Sequence, residues 1–171
     1  MCEPRIYVAD LAAYNAGILH GIWIDACDDL DSIQEQINQM LEQTPIDEVA
    51  EEYALHDYEG FAGYSLSEYE GIKRVHELAC FIDEHGQIAG DLLNHWDGDI
   101  EEAQKAIEED YCGQYASLAD YAQTLTEETT QIPAHLQYYI DYERMGRDME
   151  MSSDIYSIET AHDGLHVFYN H

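Results

Sequence analysis

The sequence predicts an α+β chain of three small subdomains, and three observations lead there. Strand-like segments cluster toward the two ends, helical periodicity fills the middle, and no internal repeat or Gly/Ser linker interrupts the 171 residues. The changes of period fall near residues 62 and 110. They mark off a β-β-α-β subdomain over 1–61, an acidic helical subdomain over 62–110, and an α+β subdomain over 111–171 ending in an antiparallel hairpin. A chain of this length holds one domain or two to three small ones.

Arg5-Ile-Tyr-Val-Ala9 is rich in β-formers, Asn15-Ala-Gly17 marks a turn, and His20-Gly-Ile-Trp-Ile-Asp25 makes a second strand, so a hairpin-like pair is expected. Asp31 can then cap a helix with Ile33, Ile37, Met40 and Leu41 at i, i+4, i+7 and i+8, and Gln34 at the capping-box position. Pro45 ends this helical region, and Tyr53-Ala-Leu-His-Asp-Tyr58 reads as the third strand.

In the middle, Ser65-Leu-Ser-Glu68 has the form of a capping box, followed by Tyr69, Ile72, Val75, Ala79 and Ile82 on one face and a stop at Gly86. A shorter apolar helix spans Ile88 to Trp96. Another runs from about Asp99 to Asp110, with Ile100, Ala103 and Ile107 on its buried side.

The last third is mixed. Tyr111-Cys-Gly-Gln-Tyr115 reads as a strand, and Ser117-Leu-Ala-Asp120 opens a helix through Leu125. Pro133 suits the first turn of a further helix carrying Leu136, Tyr139 and Ile140 and stopping at Gly146. Ile155–Thr160 and Leu165–Tyr169 flank Asp163-Gly164, a strong hairpin signal.

Charge sets this chain apart. It holds 37 Asp or Glu against 6 Lys or Arg, a formal net charge of −31, while the charged fraction of 25% is ordinary. Residues 1–60 hold 14 of the acids, 61–100 hold 8 and 101–171 hold 15, so the charge is no tail. With 46% hydrophobic residues and 14 Tyr, the chain has the apolar content to fold, unlike an acidic disordered segment. A single-sign surface repels itself, so the imbalance serves either hydration or a positively charged partner. On the scale of duplex DNA, with one charge per roughly 1.7 Å, it matches about 15 base pairs.

Other chemistries find little support. Nucleic-acid binding is opposed by the charge, since phosphate contacts need Lys and Arg. No apolar run reaches the length of a membrane span, and Met1-Cys2-Glu3-Pro4-Arg5 leads straight into a strand without a signal-peptide pattern. Cys2, Cys27, Cys80 and Cys112 are far apart and form no C-x-x-C, so a cytoplasmic location with reduced thiols is expected.

Asp97-Gly-Asp99-Ile-Glu101 with Glu108 matches positions 1, 3, 5 and 12 of a calcium loop, but Glu102 stands where the sharp turn needs glycine. No H-E-x-x-H, paired Cys/His spacing, G-x-S-x-G elbow, P-loop or G-x-G-x-x-G is present, so neither a catalytic group nor a cofactor is assigned. Within Glu51–Glu59, a strand places His56 and Asp57 on opposite sides, which fits a structural histidine beside a solvated acidic face. No Lys or Arg adjoins Cys80 or Cys112 to lower a thiol pKa.

Three ordered blocks resemble one family. Ile6-Tyr-Val-Ala-Asp-Leu11 with Tyr14-Asn-Ala-Gly17 and Gly21-Ile-Trp23 is similar to the N-terminal signature of the ArdA antirestriction proteins. Glu51-Glu-Tyr-Ala-Leu-His-Asp-Tyr-Glu59 resembles a second block, and Pro133-Ala-His-Leu-Gln-Tyr-Tyr-Ile-Asp-Tyr142 with Gly146-Arg-Asp148 a third, the likeness covering about residues 5–169.

The resemblance implies a DNA mimic carried by mobile elements such as plasmids, conjugative transposons or phages. It implies inhibition of type I restriction–modification enzymes by occupying the DNA-binding groove of their specificity and methyltransferase subunits. The implied fold is an elongated, curved chain of three subdomains, dimerised through the last. Carboxylates then stand in for phosphates, and the candidates are Asp25, Asp28, Asp29, Asp31, Glu35, Glu101, Glu102, Glu108, Glu109, Asp110, Asp120, Glu127 and Glu128. For the homodimer interface, the Tyr-rich segment with Tyr138, Tyr139 and Tyr142 is the candidate, because Arg144 and Arg147, two of the six basic residues, lie close by. The rival readings are a halophilic-type acidic protein that needs molar salt to fold, and a carboxylate metal-binding protein whose melting temperature responds to calcium.

Overall fold

The computed structural model describes residues 4–160 and 164–170. Cys2 and Asp163 lie outside them. The chain is mixed α+β, with two three-stranded antiparallel sheets. It divides into two compact units, Met1–His95 and Trp96–His171.

In the first unit, strand β1 (Arg5–Asp10) sits between β2 (Gly21–Asp25) and β3 (Tyr53–Glu59), both antiparallel to it. β1 supplies Ile6 and Val8, both fully buried. A short helix α1 (Leu11–Asn15) lies between β1 and β2 and adds an element to the expected β-β-α-β order. Asp10 caps it, its Oδ1 accepting the Ala13 N–H at 3.1 Å, and Gly17 at φ +83° lets the chain turn back.

Helix α2 (Leu30–Glu42) buries Ile33, Ile37, Met40 and Leu41, the four residues its period marked. It packs on β1, β2 and α3 (Ile72–His85). The cap is Asp29 rather than Asp31, which falls in the first turn, where a negative charge complements the helix dipole.

The Ser65–Glu68 box does not start α3. The Glu68 carbonyl instead accepts the Leu55 N–H at 3.0 Å. The chain makes a turn from Ser67 to Glu70, the Glu70 N–H donating to the Ser67 carbonyl at 3.1 Å and the Ser67 N–H to Glu70 Oε2 at 3.2 Å, and Gly71 precedes the helix. Tyr69 is accordingly exposed, outside the buried face of Ile72, Val75, Leu78, Ala79, Phe81 and Ile82. Helix α4 (Gln87–His95) completes the unit, with Leu92 and Leu93 fully buried.

In the second unit, α5 (Ile100–Lys105) runs into a π-helical turn (Ala106–Asp110) and then β4 (Tyr111–Tyr115). The sheet order places β6 (Gly164–Tyr169) between β4 and β5 (Ile155–Thr160). β5 and β6 are the expected hairpin strands, paired from Ile155↔Tyr169 to Thr160↔Gly164. Helix α6 (Leu118–Thr129) packs against α7 (Tyr142–Met151). A core of Tyr121, Ile155 and Val167 is closed by Leu118, Leu125 and Met149.

The expected helix from Pro133 to Gly146 is replaced by a 3-10 turn (Ala134–Leu136), a loop, and α7 starting at Tyr142. Asp141 stops any continuous helix by capping the new one, its Oδ1 accepting the Arg144 N–H at 3.0 Å. Gly146 is therefore a mid-helix residue.

Candidate functional site

Acidic side chains gather on helix surfaces in both units. In the first, Asp28 and Asp29 lead into α2, while Asp31 and Glu35 stand one turn apart on its exposed side, separated along the axis by about 6 Å. In the second, Glu101 and Glu102 occupy the first turn of α5 behind the Asp99 cap, where the helix dipole favours them. Glu108 and Glu109 project from the π-helical turn, Asp120 from the start of α6, and Glu127 and Glu128 from its end.

Eleven of the thirteen candidate carboxylates are solvent-exposed. Two depart. Asp25 is half-buried, its Oδ1 accepting the Cys27 N–H at 2.9 Å in the turn after β2. Asp110 is only 4% exposed and does not belong to the surface. It lies seven residues after Ala103 and three after Ile107, on the stripe that faces inward.

Four of the eleven exposed candidates, Asp28, Glu35, Glu108 and Glu127, are braced by glutamine. Gln104 Nε2 donates to Glu108 Oε1 at 2.6 Å, Gln123 to Glu127 at 3.0 Å, and Gln39 to Glu35 at 3.4 Å, each four residues apart. Gln36 reaches Asp28 Oδ2 at 3.4 Å. A lysine at these positions would form the usual i,i+4 ion pair. The amide gives a hydrogen bond of similar reach and orders the carboxylate without cancelling its charge. These glutamines were missed in the sequence, although Gln four residues from Glu on a helix is a legible signal.

Of the few cations, Arg5 and Arg144 pair away from these acids, whereas Lys105 ends α5 within the acidic stretch, four residues after Glu101 and four before Glu109. Arg5 Nη2 lies 2.6 Å from Glu59 Oε2 across the β1–β3 pair, and its guanidinium sits 5.0 Å from the Trp23 ring centroid. Arg144 Nε approaches Asp148 Oδ2 at 4.0 Å on α7. Among the described residues, no ion pair to Lys or Arg reaches the eleven exposed candidates.

The tyrosines proposed for self-association do not share a helix. Tyr138 and Tyr139 lie in the turn after the 3-10 segment, 91% and 84% exposed, and Tyr142 begins α7 half-buried. Tyr138 and Tyr142 line a cleft of about 530 Å³ with Gln123 and Glu127. Arg144 lines a different one with Asp141, Met145 and Asp148, and Arg147 is exposed on α7.

His56 is half-buried with its ring edge-on to Tyr14 at 4.7 Å and its Nε2 3.6 Å from Glu68 Oε1. Burial first, then Cys80, Asp83 and Asp25, push the Cys27 thiol up to about 12. Such a thiol is held unreactive. Among the described residues no cluster of His, Cys, Asp or Glu has the form of a metal site, and Asp99 of the calcium-like stretch caps α5 instead. None of the described helices is long and apolar enough to cross a membrane.

A family model described as antirestriction protein (ArdA) matches residues 6–163, nearly the whole chain. The chain belongs to the ArdA family. No curated protein matches it. ArdA membership implies an antirestriction function, acting on restriction enzymes as an inhibitor rather than as an enzyme.

Proposed function

We propose that this ArdA chain is a DNA mimic that blocks type I restriction–modification enzymes by lodging in the DNA-binding groove of their specificity and methyltransferase subunits. The observation that carries the reading is the net charge of −31, with eleven candidate carboxylates exposed and, among the described residues, no ion pair from Lys or Arg to any of them. A groove that neutralises DNA phosphates presents Lys and Arg in rows. Carboxylates held along helix faces offer that groove the charge of a duplex without its bases. Complementary potentials of this kind steer fast encounter and fix the partner more than they add raw affinity. A halophilic protein would carry the same charge, but its acids serve water and carry no expectation of competition.

The decisive experiment is displacement of a fluorescent duplex carrying the recognition site from a type I methyltransferase core, made of specificity and modification subunits. Displacement that saturates with added protein and weakens steeply with ionic strength is expected. If saturating protein left duplex binding and cleavage untouched across several type I enzymes, the mimic reading would fail.

A further inference from the structure

We infer that the cleft beside β3 is a receptor for one arginine side chain of the partner protein. The inference rests on the inhibitory reading above and adds to it a localised contact of a different chemistry from the distributed carboxylates. The cleft is an open groove of about 430 Å³ lined by Tyr14, His56, Tyr58, Ser67 and Glu68, with Leu55 and Leu66 forming apolar wall. That volume lies within the range of roughly 300–1,000 Å³ in which proteins bind small groups.

Its walls combine what a guanidinium needs. Tyr14 and Tyr58 offer phenol rings, and Arg binds aromatic faces through both its charge and its planar stacking. Glu68 offers a carboxylate whose two oxygens match the parallel N–H donors of the fork. The side chain of Glu68 is 50% exposed, while its backbone is fixed by the hydrogen bond from Leu55 at 3.0 Å. The acid is thus presented from the Ser67–Glu70 turn, whose backbone is tied to β3.

Tyr14 is fixed in turn by its edge-on contact with His56 at 4.7 Å. The 3.6 Å separation of His56 Nε2 from Glu68 Oε1 exceeds a normal hydrogen bond, so the carboxylate keeps acceptor capacity for an incoming cation. None of the lining residues is Lys or Arg, and the surrounding charge is negative. A lysine would satisfy only the charge, having no plane to stack and no fork to pair. A groove built to read duplex DNA projects arginines toward base edges as well as phosphates. The helix-face acids answer the second kind of contact, and the cleft answers the first.

The test uses the full chain and has two arms. In the first, wild type, Tyr14→Ala, Glu68→Gln and the control Glu35→Gln compete with duplex for the type I methyltransferase core at fixed salt. Tyr14→Ala and Glu68→Gln should each weaken inhibition at least tenfold with an unchanged melting temperature, and Glu35→Gln less than threefold. In the second, backbone amide shifts of the wild-type chain are followed by NMR during titration with acetyl-Gly-Arg-Gly-amide and its lysine and citrulline analogues. Shifts should appear around Tyr14, His56 and Glu68 with the arginine peptide and be much smaller with the other two. Equal inhibition by all four proteins, or equal shifts with lysine and arginine, would overturn the arginine receptor while leaving the mimic reading intact. If the wild type fails to displace duplex at all, the mimic reading falls, and the inference that rests on it falls too, whatever the peptide shows.

Discussion

Gly146 of α7 lies against the backbone of Leu118 in α6, so close that a Cβ on residue 146 would stand 2.7 Å from the Leu118 carbonyl oxygen. The residue is buried inside a helix rather than at its end, and the missing side chain is what lets α6 and α7 approach. Thr126 Oγ1 and Met145 Sδ, 3.3 Å apart, mark the same contact. Gly146→Ala gains helix propensity but forces the two helices apart. Overpacking of this kind costs about 1–3 kcal/mol, which should appear as a lowered urea midpoint at unchanged slope. An unaltered midpoint would mean that the helix pair separates at no cost.

Self-repulsion should dominate the response of the free protein to salt. Screening shortens the reach of like charges, so the melting temperature should rise between low and moderate NaCl. Replacing Gln104 and Gln123 by Lys should raise it at low salt as well, since each converts a neutral brace into an ion pair. The same double variant should inhibit less well, because Glu108 and Glu127 would then be compensated. Improved stability together with unchanged inhibition would show that these two acids do not face the partner.

Phosphate mimicry spreads its effect over many contacts. Exposed charge pairs are typically worth about 1 kcal/mol or less, so Glu109→Gln alone should change inhibition no more than severalfold. Neutralising Glu101, Glu102, Glu108 and Glu109 together should weaken it far more, and adding Asp110→Asn should harm stability instead, since that carboxyl is buried. Duplex competition and thermal melts of the three variants separate these outcomes. One exposed helix-face carboxylate whose loss abolished inhibition would point to a local site on that face.

Tyr138 and Tyr139, 91% and 84% exposed, are expected to be covered in a homodimer. Light scattering at micromolar concentration should give a mass near twice 19.6 kDa. Tyr138→Ala with Tyr139→Ala should return a monomer with an intact fold. Full inhibition by that monomer would show that one copy suffices to block the groove.

Alkaline pH should unfold the protein. Burial, the leading cause in each case, raises the pKa of Cys27 to about 12 and raises Cys80, Cys112, Tyr115, Tyr121 and Tyr156 as well. The unfolded chain releases these protons first, near pH 8.5 for thiols and 10 for phenols. Stability is then complete below about pH 8.5 and is lost as the pH rises toward the folded values. Urea midpoints at rising pH should fall over this window, and Cys27→Ala should flatten the thiol part of the decline. An equally steep decline in that variant would remove Cys27 from the account.

Local patterns carried much of this in the sequence. The α2 stripe of Ile33, Ile37, Met40 and Leu41 and the alternation in β1 are set by chain geometry over a few residues, and so were legible. The Ile155–Tyr169 pairing followed from its flanking hairpin signal. Net charge and the ordered blocks at 6–23, 51–59 and 133–148 pointed to the family, because composition and motif order survive whatever the packing. The burial of Asp110 was also within reach, since Ile100, Ala103, Ile107 and Asp110 share one helical stripe, but an acid in so acidic a chain reads as surface.

What the sequence alone could not decide were contacts between distant segments. Ser65–Glu68 has every local mark of a helix start, yet the chain closes a Ser67–Glu70 turn there, and the hydrogen bond from Leu55 to the Glu68 carbonyl ties that turn to β3 beside the Tyr14 cleft. Gly146 has the local mark of a helix stop, and only the approach of Leu118 shows it to be a packing residue. Capping and propensity are worth about 1 kcal/mol per residue. Backbone pairing and helix packing, summed over an interface, outweigh them, and those partners are fixed only once the chain has folded.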